Sequence, residues 1–293
     1  MDLKQLSYFV TIVDQMSFSK AAQILHISQP SLSNAIKSLE GELGFQILER
    51  NTRNIGITEA GHILYKRAVH LLSEMEIAKK EMGEVKLIGS GELQIGMIES
   101  AKHWIPKVIR PYIKEFPDVR IKLTEVLSGA DVKSSLRNYE THLIITNQFI
   151  EEDDITTIPL YHEKLVLLLH TNHPLAKLEY IELKDLVGEP FIISSEGFQT
   201  RHDVLNFFKT ENIIPTIKYE IERFETALIL VRENLGITLI PENYLQGPYD
   251  YSIVKRTIDS IEIDRTVYLT YLKNRYVSPA IHDFINRTNS YFN

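Results

Sequence analysis

Apolar residues near the start of the chain recur at spacings of three or four: Leu6, Phe9, Val10 and Val13, then Phe18, Ala21, Ala22 and Leu25. This spacing predicts a helix over residues 3–16 and a second helix over the next run. The tripeptide His-Ile-Ser at 26–28 then predicts a turn. A third helix is expected to start at Gln29, because the Ser28 hydroxyl can cap it and Pro30 suits a first turn.

The third helix has one apolar and one polar face. Its apolar positions are Leu32, Ile36, Leu39 and Leu43. Short polar or basic side chains occupy the other positions or the start of the helix: Ser28, Gln29, Ser31, Ser33, Asn34 and Lys37. Gln and Asn can bond bidentately to adenine in the major groove, and Ser can bond to either base edge. The pattern therefore favours DNA reading, with an ordinary solvated helix face as the alternative.

Two longer stretches resemble the N-terminal domain of LysR-type transcriptional regulators: FSKAAQILHISQPSLSNAIKSLEGELG at 18–44 and QILERNTRNIGITEAG at 46–61. The resemblance implies a winged helix-turn-helix whose DNA contacts are Ser28, Gln29, Pro30, Ser31, Ser33, Asn34, Lys37, Arg50 and Arg53. In it, Arg50 and Arg53 of the wing would reach phosphate. Thr58 would cap a long helix from Glu59, and Leu48 stands where the family usually has Phe.

A long helix is predicted over residues 59–88, where apolar residues recur at spacings of three or four. About 30 helical residues would reach roughly 45 Å, which is too long to be buried in one small domain. We therefore expect a seam with a partner helix, as in a coiled coil. Packing on its own domain is the alternative. The expected dimerisation residues are Leu64, Ala68, Leu71, Leu72, Met75 and Met82. Gly89, Ser90 and Gly91 would then form a hinge.

Beyond Gly91 the pattern changes to alternating strands and helices. Strands are predicted at 93–98, 119–127, 143–146, 165–170, 191–193, 217–221, 237–240 and 266–272. Helices are predicted at 103–116, 201–211 and 224–234, with a last helix opened by Ser278 and Pro279. This alternation favours parallel α/β sheets.

The stretches GELQIGMIES, PFIISSEGF and LVRENLGITLIPE extend the resemblance to the rest of the chain. It implies an α+β multidomain protein: a winged helix-turn-helix at 1–58, a linker helix at 59–88, a hinge at 89–91 and an effector domain at 92–293. That domain would comprise two Rossmann-like subdomains, at 92–161 with 267–293 and at 162–266, as in type 2 periplasmic binding proteins. A small-molecule effector would bind in the cleft between them.

Ligands of open α/β sheets bind beyond the carboxyl ends of strands, where helix N-termini favour anions. Candidate effector contacts of this kind are Ser100, Ser128, Gly129, Ser194, Ser195, Phe198, Gln199 and Thr200. Basic groups that could complement a carboxylate are Lys102, His103, Arg201 and Arg223. We therefore expect an anionic metabolite as effector. Each residue has an alternative role as a cap, a solvated charge or a loop residue.

The charge of the chain is unevenly distributed. The 293 residues carry a net charge of -7, yet residues 1–88 hold ten basic and ten acidic residues. The other 22 basic and 29 acidic residues lie beyond residue 88, so the negative excess belongs to the C-terminal part. A neutral DNA-binding region implies few phosphate contacts per subunit. Tight binding is then expected to need a homodimer or homotetramer on double-stranded operator DNA, with RNA polymerase as a further candidate partner.

Several other function classes lack their sequence signals. Cysteine is absent, which excludes regulation through thiols, and no apolar run approaches the roughly 18 residues of a membrane helix. No signal peptide, phosphate loop or nucleophile elbow is recognisable, and His162, His170 and His173 lack the spacing of a zinc site. We therefore expect a cytoplasmic regulator without cofactor or metal that is not an enzyme. A solute-binding protein and a metabolic enzyme with an accessory DNA-binding domain remain the alternatives.

Overall fold

The computed structural model describes residues 1–50, 55–86, 90–126, 128–245, 251–258 and 264–292. The chain divides into two compact units, Met1–Gly83 and Glu84–Asn293, which we treat separately. The predicted Arg53 lies outside the described residues, as does the side chain of Arg50.

The first unit is a helical domain with a two-stranded wing. Its elements are α1 Leu3–Gln15, α2 Phe18–Ile24, α3 Gln29–Leu43, β1 Leu48–Arg50, β2 Ile55–Ile57 and the start of α4, Glu59–Lys86. Strands β1 and β2 pair antiparallel. The apolar faces of the helices meet in a core where Phe9, Leu32, Ile36 and Leu48 are fully buried. Leu48 thus fills a core position although it is smaller than the Phe usual in the resembling family.

The second unit alternates strands and helices. Its strands are β3 Ser90–Met97, β4 Asp118–Glu125, β5 Leu143–Thr146, β6 Ile155–His170, β7 Pro190–Ser194, β8 Thr216–Ile221, β9 Ile237–Pro241, β10 Ile253–Arg256 and β11 Asp264–Leu272. Its helices are α5 Ile105–Glu115, α6 Gly129–Arg137, α7 Gln199–Thr210, α8 Phe224–Arg232 and α9 Pro279–Phe292. Two of the three predicted hinge residues, Ser90 and Gly91, are strand residues that pair with β4.

Nine strands of the described chain form one sheet, in the order β4-β3-β5-β11-β6-β9-β7-β8, with β10 also pairing with β6. The predicted parallel pairing holds for β3 with β4 and β5, and for β7 with β8 and β9. Strands β6 and β11 differ, because they run antiparallel to their neighbours. The first part of β6 pairs with β11 and its last part with β9 and β10. One 16-residue strand therefore joins the two parallel groups.

A short 3₁₀ turn at Glu99–His103 follows β3, so α5 begins at Ile105 and not at the predicted His103. Glu99, Ser100 and Ala101 are buried in this turn. The turn thus places two polar side chains inside the unit, directly after the carboxyl end of a strand.

Candidate functional site

The start of α3 presents polar side chains to solvent. Ser28, Gln29, Pro30, Ser31, Asn34 and Lys37 are exposed, and Ser33 is half-buried. The Ser28 hydroxyl caps the helix by accepting from the Ser31 N–H at 3.3 Å. The Ser19 hydroxyl donates to Gln29 Oε1 at 2.9 Å, which ties α2 to the first residue of α3. The predicted reading face is therefore accessible, while the opposite face of α3 is sealed in the core.

The wing is held by two polar side chains. Glu40 Oε1 accepts hydrogen bonds from the Ile47 and Leu48 N–H groups at 3.0 and 3.3 Å, where β1 begins. The Thr58 hydroxyl donates to the Gln46 carbonyl and accepts from the Gly61 N–H, both at 3.0 Å. The capping role expected of Thr58 is thus observed. Both ends of the wing are fixed to helices.

Helix α4 carries apolar side chains on two sides. Leu64 packs against the core of the first unit and Ala68 is fully buried, so Ala68 is covered by its own chain. Leu71 and Met82 are exposed by 48% and 61%, whereas Leu72 and Met75 are half-buried. The outer part of α4 therefore keeps large apolar groups in solvent, as a helix that meets a partner would.

A cleft opens in the second unit beyond the carboxyl ends of β3, β5, β7 and β8. It encloses about 350 Å³ of free space, including a part open to solvent. Its lining residues are Ile98, Glu99, Ser100, Asn147, Ser194, Phe198, Gln199, Thr200, Glu222, Phe224 and Arg265. This is the place where open α/β sheets hold ligands.

Arg265 is the cation among the lining residues, and protein groups already surround it. Its Nε and Nη2 donate to Glu163 Oε1 at 2.8 and 2.6 Å. Its Nη1 donates to Thr200 Oγ1 at 2.8 Å and to Asp203 Oδ2 at 3.2 Å. The Ser100 hydroxyl donates to the same oxygen of Glu163 at 3.2 Å. The guanidinium is thus balanced by two carboxylates, and the Ser100 proton is already engaged.

Glu99 occupies the N-terminus of α8. Its side chain is buried, and Oε2 accepts a hydrogen bond from the Phe224 N–H at 3.1 Å. Burial raises the pKa of Glu99, while this hydrogen bond and the positive charges of Arg223 and Lys102 act in the opposite direction. A carboxylate of the chain itself therefore fills a helix terminus that could otherwise receive an anion.

Two family models match the chain. One, described as the LysR substrate binding domain, matches residues 89–292. The other, described as a bacterial regulatory helix-turn-helix protein of the lysR family, matches residues 3–62. The chain belongs to the LysR family. The predicted fold class, a winged helix-turn-helix followed by an α/β substrate-binding domain, is confirmed.

Relatives of this LysR-family chain match most or all of its length. It is 30% identical to the uncharacterised HTH-type transcriptional regulator YybE of Bacillus subtilis, over 100% of this chain and 99% of that protein. It is 34% identical to the HTH-type transcriptional regulator BenM of Acinetobacter baylyi, over 82% and 80% of the two chains. The crystal structure of full-length BenM has a TM-score of 0.60 at 28% identity and covers 100% of this chain and 97% of its own. The LysR-family chain is therefore a DNA-binding transcriptional regulator with an effector-binding domain.

Five of the effector contacts predicted for this LysR-family regulator line the cleft: Ser100, Ser194, Phe198, Gln199 and Thr200. They come from the turn after β3, the end of β7 and the start of α7. No described helix has the length and apolar character to cross a membrane, and the described residues contain no group of three metal-ligating side chains.

The four basic residues predicted to complement a carboxylate do not line the cleft. Lys102 Nζ lies 3.7 Å from the centre of the Tyr244 ring, and His103 Nε2 lies 2.9 Å from the Tyr244 carbonyl oxygen. Arg201 donates to the Ser194 carbonyl at 2.9 Å, and it also pairs with Glu220. Arg223 pairs with Glu125. Each of these four side chains thus has a partner that the local sequence does not reveal.

The other three predicted contacts have structural partners of their own. The Ser128 hydroxyl caps α6 by accepting from the Asp131 N–H at 3.2 Å. A Cβ at Gly129 would lie 2.1 Å from Gln148 Oε1, so this glycine allows a close approach. The Ser195 N–H donates to the Ile221 carbonyl at 2.8 Å. None of the three lines the cleft.

Sequence reasoning missed more than half of the lining: Ile98, Glu99, Asn147, Glu222, Phe224 and Arg265. It also missed Glu163, which lies directly opposite Arg265 in the register of β6 and β11. The charges of Glu163 and Arg265 were the available signal, because a charged residue inside a strand needs a partner when it is buried. The identity of the partner was not available, since Arg265 and Glu163 are 102 residues apart.

Proposed function

We propose that this regulator reads operator half-sites with the exposed start of α3, and that a small molecule in the cleft of the second unit controls this binding. The proposed base and backbone contacts are Ser28, Gln29, Pro30, Ser31, Ser33, Asn34 and Lys37, with phosphate contacts from Arg50 and Arg53. The observation that carries the proposal is the polar, exposed first turn of α3 above a fully buried apolar face. Such a helix can enter the major groove without disturbing its own core.

We further propose that the chain acts as a homodimer or homotetramer through α4. The exposed Leu71 and Met82, together with Leu72 and Met75, would form the seam. The predicted domains at 1–58, 59–88 and 92–293 would then read DNA, set the spacing of the half-sites and sense the effector. Of the predicted hinge at 89–91, Ser90 and Gly91 belong to β3, and Gly89 lies outside the described residues. A dimer places two reading helices on two half-sites, which compensates for the few phosphate contacts of each subunit.

The effector is proposed to bind among Ser100, Ser194, Phe198, Gln199 and Thr200, and to act by favouring one assembly over another. It can shift that equilibrium only as far as it binds the two assemblies with different affinity. Since the protein regulates transcription, we propose that it acts in the cytoplasm and has no enzymatic activity.

Footprinting on the DNA upstream of its own gene tests the DNA-reading proposal. We expect a protected region with two half-sites separated by one helical turn or a multiple of it. Absence of any protected region at physiological salt would contradict the proposal.

Replacing Gln29 by Ala is expected to relax base preference at one operator position by about 1–3 kcal/mol, because an amide can bond bidentately to adenine. Lys37→Ala serves as the matched control on the same helix. It should weaken binding to all sequences alike and reduce the salt slope by about one, since Lys neutralises phosphate. Titrations of operator and single-base variants at several salt concentrations measure both. Identical behaviour of the two variants would contradict the groove assignment.

Replacing Ser100 by Ala is expected to abolish the effector response while leaving DNA binding without effector intact. The side chain lies in the cleft of the second unit, whereas the proposed DNA contacts belong to the first unit. Operator binding with and without effector measures both quantities. Loss of both would indicate a folding defect, and an unchanged response would remove Ser100 from the site.

A further inference from the structure

Two of the three charged residues that line the cleft are acidic. Glu99 and Glu222 are lining carboxylates, and Arg265 is the lining cation among the described residues. Arg265, however, is shared between Glu163 and Asp203. The guanidinium and its two carboxylate partners together carry one negative charge, so the cationic lining residue offers no net attraction to an anion.

Glu99 retains an oxygen for a ligand. Glu99 is only 7% exposed, and its Oε2 accepts a hydrogen bond from the Phe224 N–H. The second oxygen, Oε1, receives no hydrogen bond from the part of the chain that the structure describes. The positive charges of Lys102 and Arg223 already act on this carboxylate. An ammonium ligand would add a donor for Oε1 and a further positive charge.

The rest of the lining suits the body of such a ligand. Phe198 and Phe224 provide aromatic surface, and Ile98 provides aliphatic surface. Aromatic faces attract cations as well as apolar groups. Asn147 and Ser194 add neutral hydrogen-bonding groups. Carboxylate, aromatic rings and neutral polar groups together form the chemistry that recognises an organic ammonium.

We propose that the effector is a small organic cation whose ammonium group binds at Glu99 and whose apolar part packs on Phe198 and Phe224. This inference rests on the proposed effector role of the cleft and replaces the anion expected from sequence. The start of α7, at Gln199 and Thr200, is the remaining place for an anion. A carboxylate bound there would share the cleft with Glu99 and Glu222, and repulsion would weaken it.

Pairs of ligands of similar size and opposite charge test this inference on the full chain. Suitable pairs are butylamine with butyrate and 2-phenylethylamine with 3-phenylpropionate. Titration calorimetry at constant ionic strength is expected to show binding of the ammonium member and none of the carboxylate. Thermal shift should agree, because a ligand that binds only the folded state raises apparent stability.

Glu99→Gln is the decisive variant, since Gln keeps the volume and an acceptor for the Phe224 N–H but loses the charge. This variant should weaken binding of the ammonium probe by about 30-fold or more. The matched control is Glu225→Gln, which removes an exposed carboxylate near Glu99 outside the cleft lining. That change should weaken binding by less than about 5-fold. Should the Glu99 variant fail to fold, Glu222→Gln, an exposed lining residue, should still weaken the ammonium probe more than the control does.

Three outcomes overturn the inference: binding of the carboxylate members alone, no binding of any ammonium probe, or equal effects of the Glu99 and Glu225 variants. Carboxylate binding that is lost in Ser100→Ala would leave the cleft as the effector site and remove only the cationic ligand. The absence of a protected region in footprinting would instead contradict the DNA-reading proposal. The two failures are therefore distinguishable.

Discussion

Replacing Arg265 by Met is expected to lower the free energy of unfolding of the second unit by about 3–5 kcal/mol, because it leaves buried Glu163 without its cation. The Glu163 side chain is fully buried, and that of Arg265 is 8% exposed. Glu163 Oε2 has no hydrogen-bond partner among the described residues, so the carboxylate is held by the three hydrogen bonds that Oε1 accepts from Ser100 and Arg265. Methionine fills the space of the Arg stem but donates nothing.

Urea unfolding followed by the fluorescence of Trp104 measures this effect. Trp104 is the single tryptophan of the chain and lies in the core of the second unit. Arg137→Met is the matched control, because Arg137 forms a bidentate pair with Asp154 at 2.8 Å but is 43% exposed. That exposed pair should contribute at most about 1 kcal/mol.

A second variant separates lost charge from lost packing. Combining Arg265→Met with Glu163→Leu removes both charges, and it should recover much of the lost stability because two apolar residues replace a buried pair. An Arg265→Met variant no less stable than Arg137→Met would contradict the importance of this pair.

Replacing Gly61 by Ala is expected to lower the free energy of unfolding of the first unit by about 1–3 kcal/mol, as overpacked sites do. A Cβ at this position would lie 2.1 Å from the Ile47 carbonyl oxygen and 2.8 Å from Ile57 Cγ2. The backbone of β1 would have to move away from α4. Since β1 is one strand of the wing, operator affinity should fall together with stability.

Thermal unfolding followed by far-ultraviolet circular dichroism, together with operator titration, measures both effects. Gly83→Ala is the control on the same helix, because nothing lies within 4 Å of a Cβ there. Ala favours a helix over Gly, so this change should stabilise by up to about 1 kcal/mol. Equal or greater stability of Gly61→Ala would show that the wing can shift without loss.

The helix-turn-helix was predictable because the interactions that determine it are local. The apolar positions of α3 recur within the helix, and the Ser28 cap acts on a residue three positions away. The aromatic and polar start of α7 was predictable in the same way, since it follows directly after a strand. The 16-residue β6 was not, because polar residues interrupt its apolar run and its two halves have different neighbours.

The sequence by itself determined the three N-terminal helices, the long helix and the alternating α/β plan, because interactions within a few residues and regular periodicity produce them. The wing was expected only from the resemblance to the LysR family. Only the tertiary structure decided the charge of the cleft. The register of β6 and β11 brings Glu163 to Arg265, and the packing of the turn after β3 on α8 brings Glu99 to Phe224, across 125 residues. Contacts at such separations depend on how whole elements pack, which no local pattern encodes.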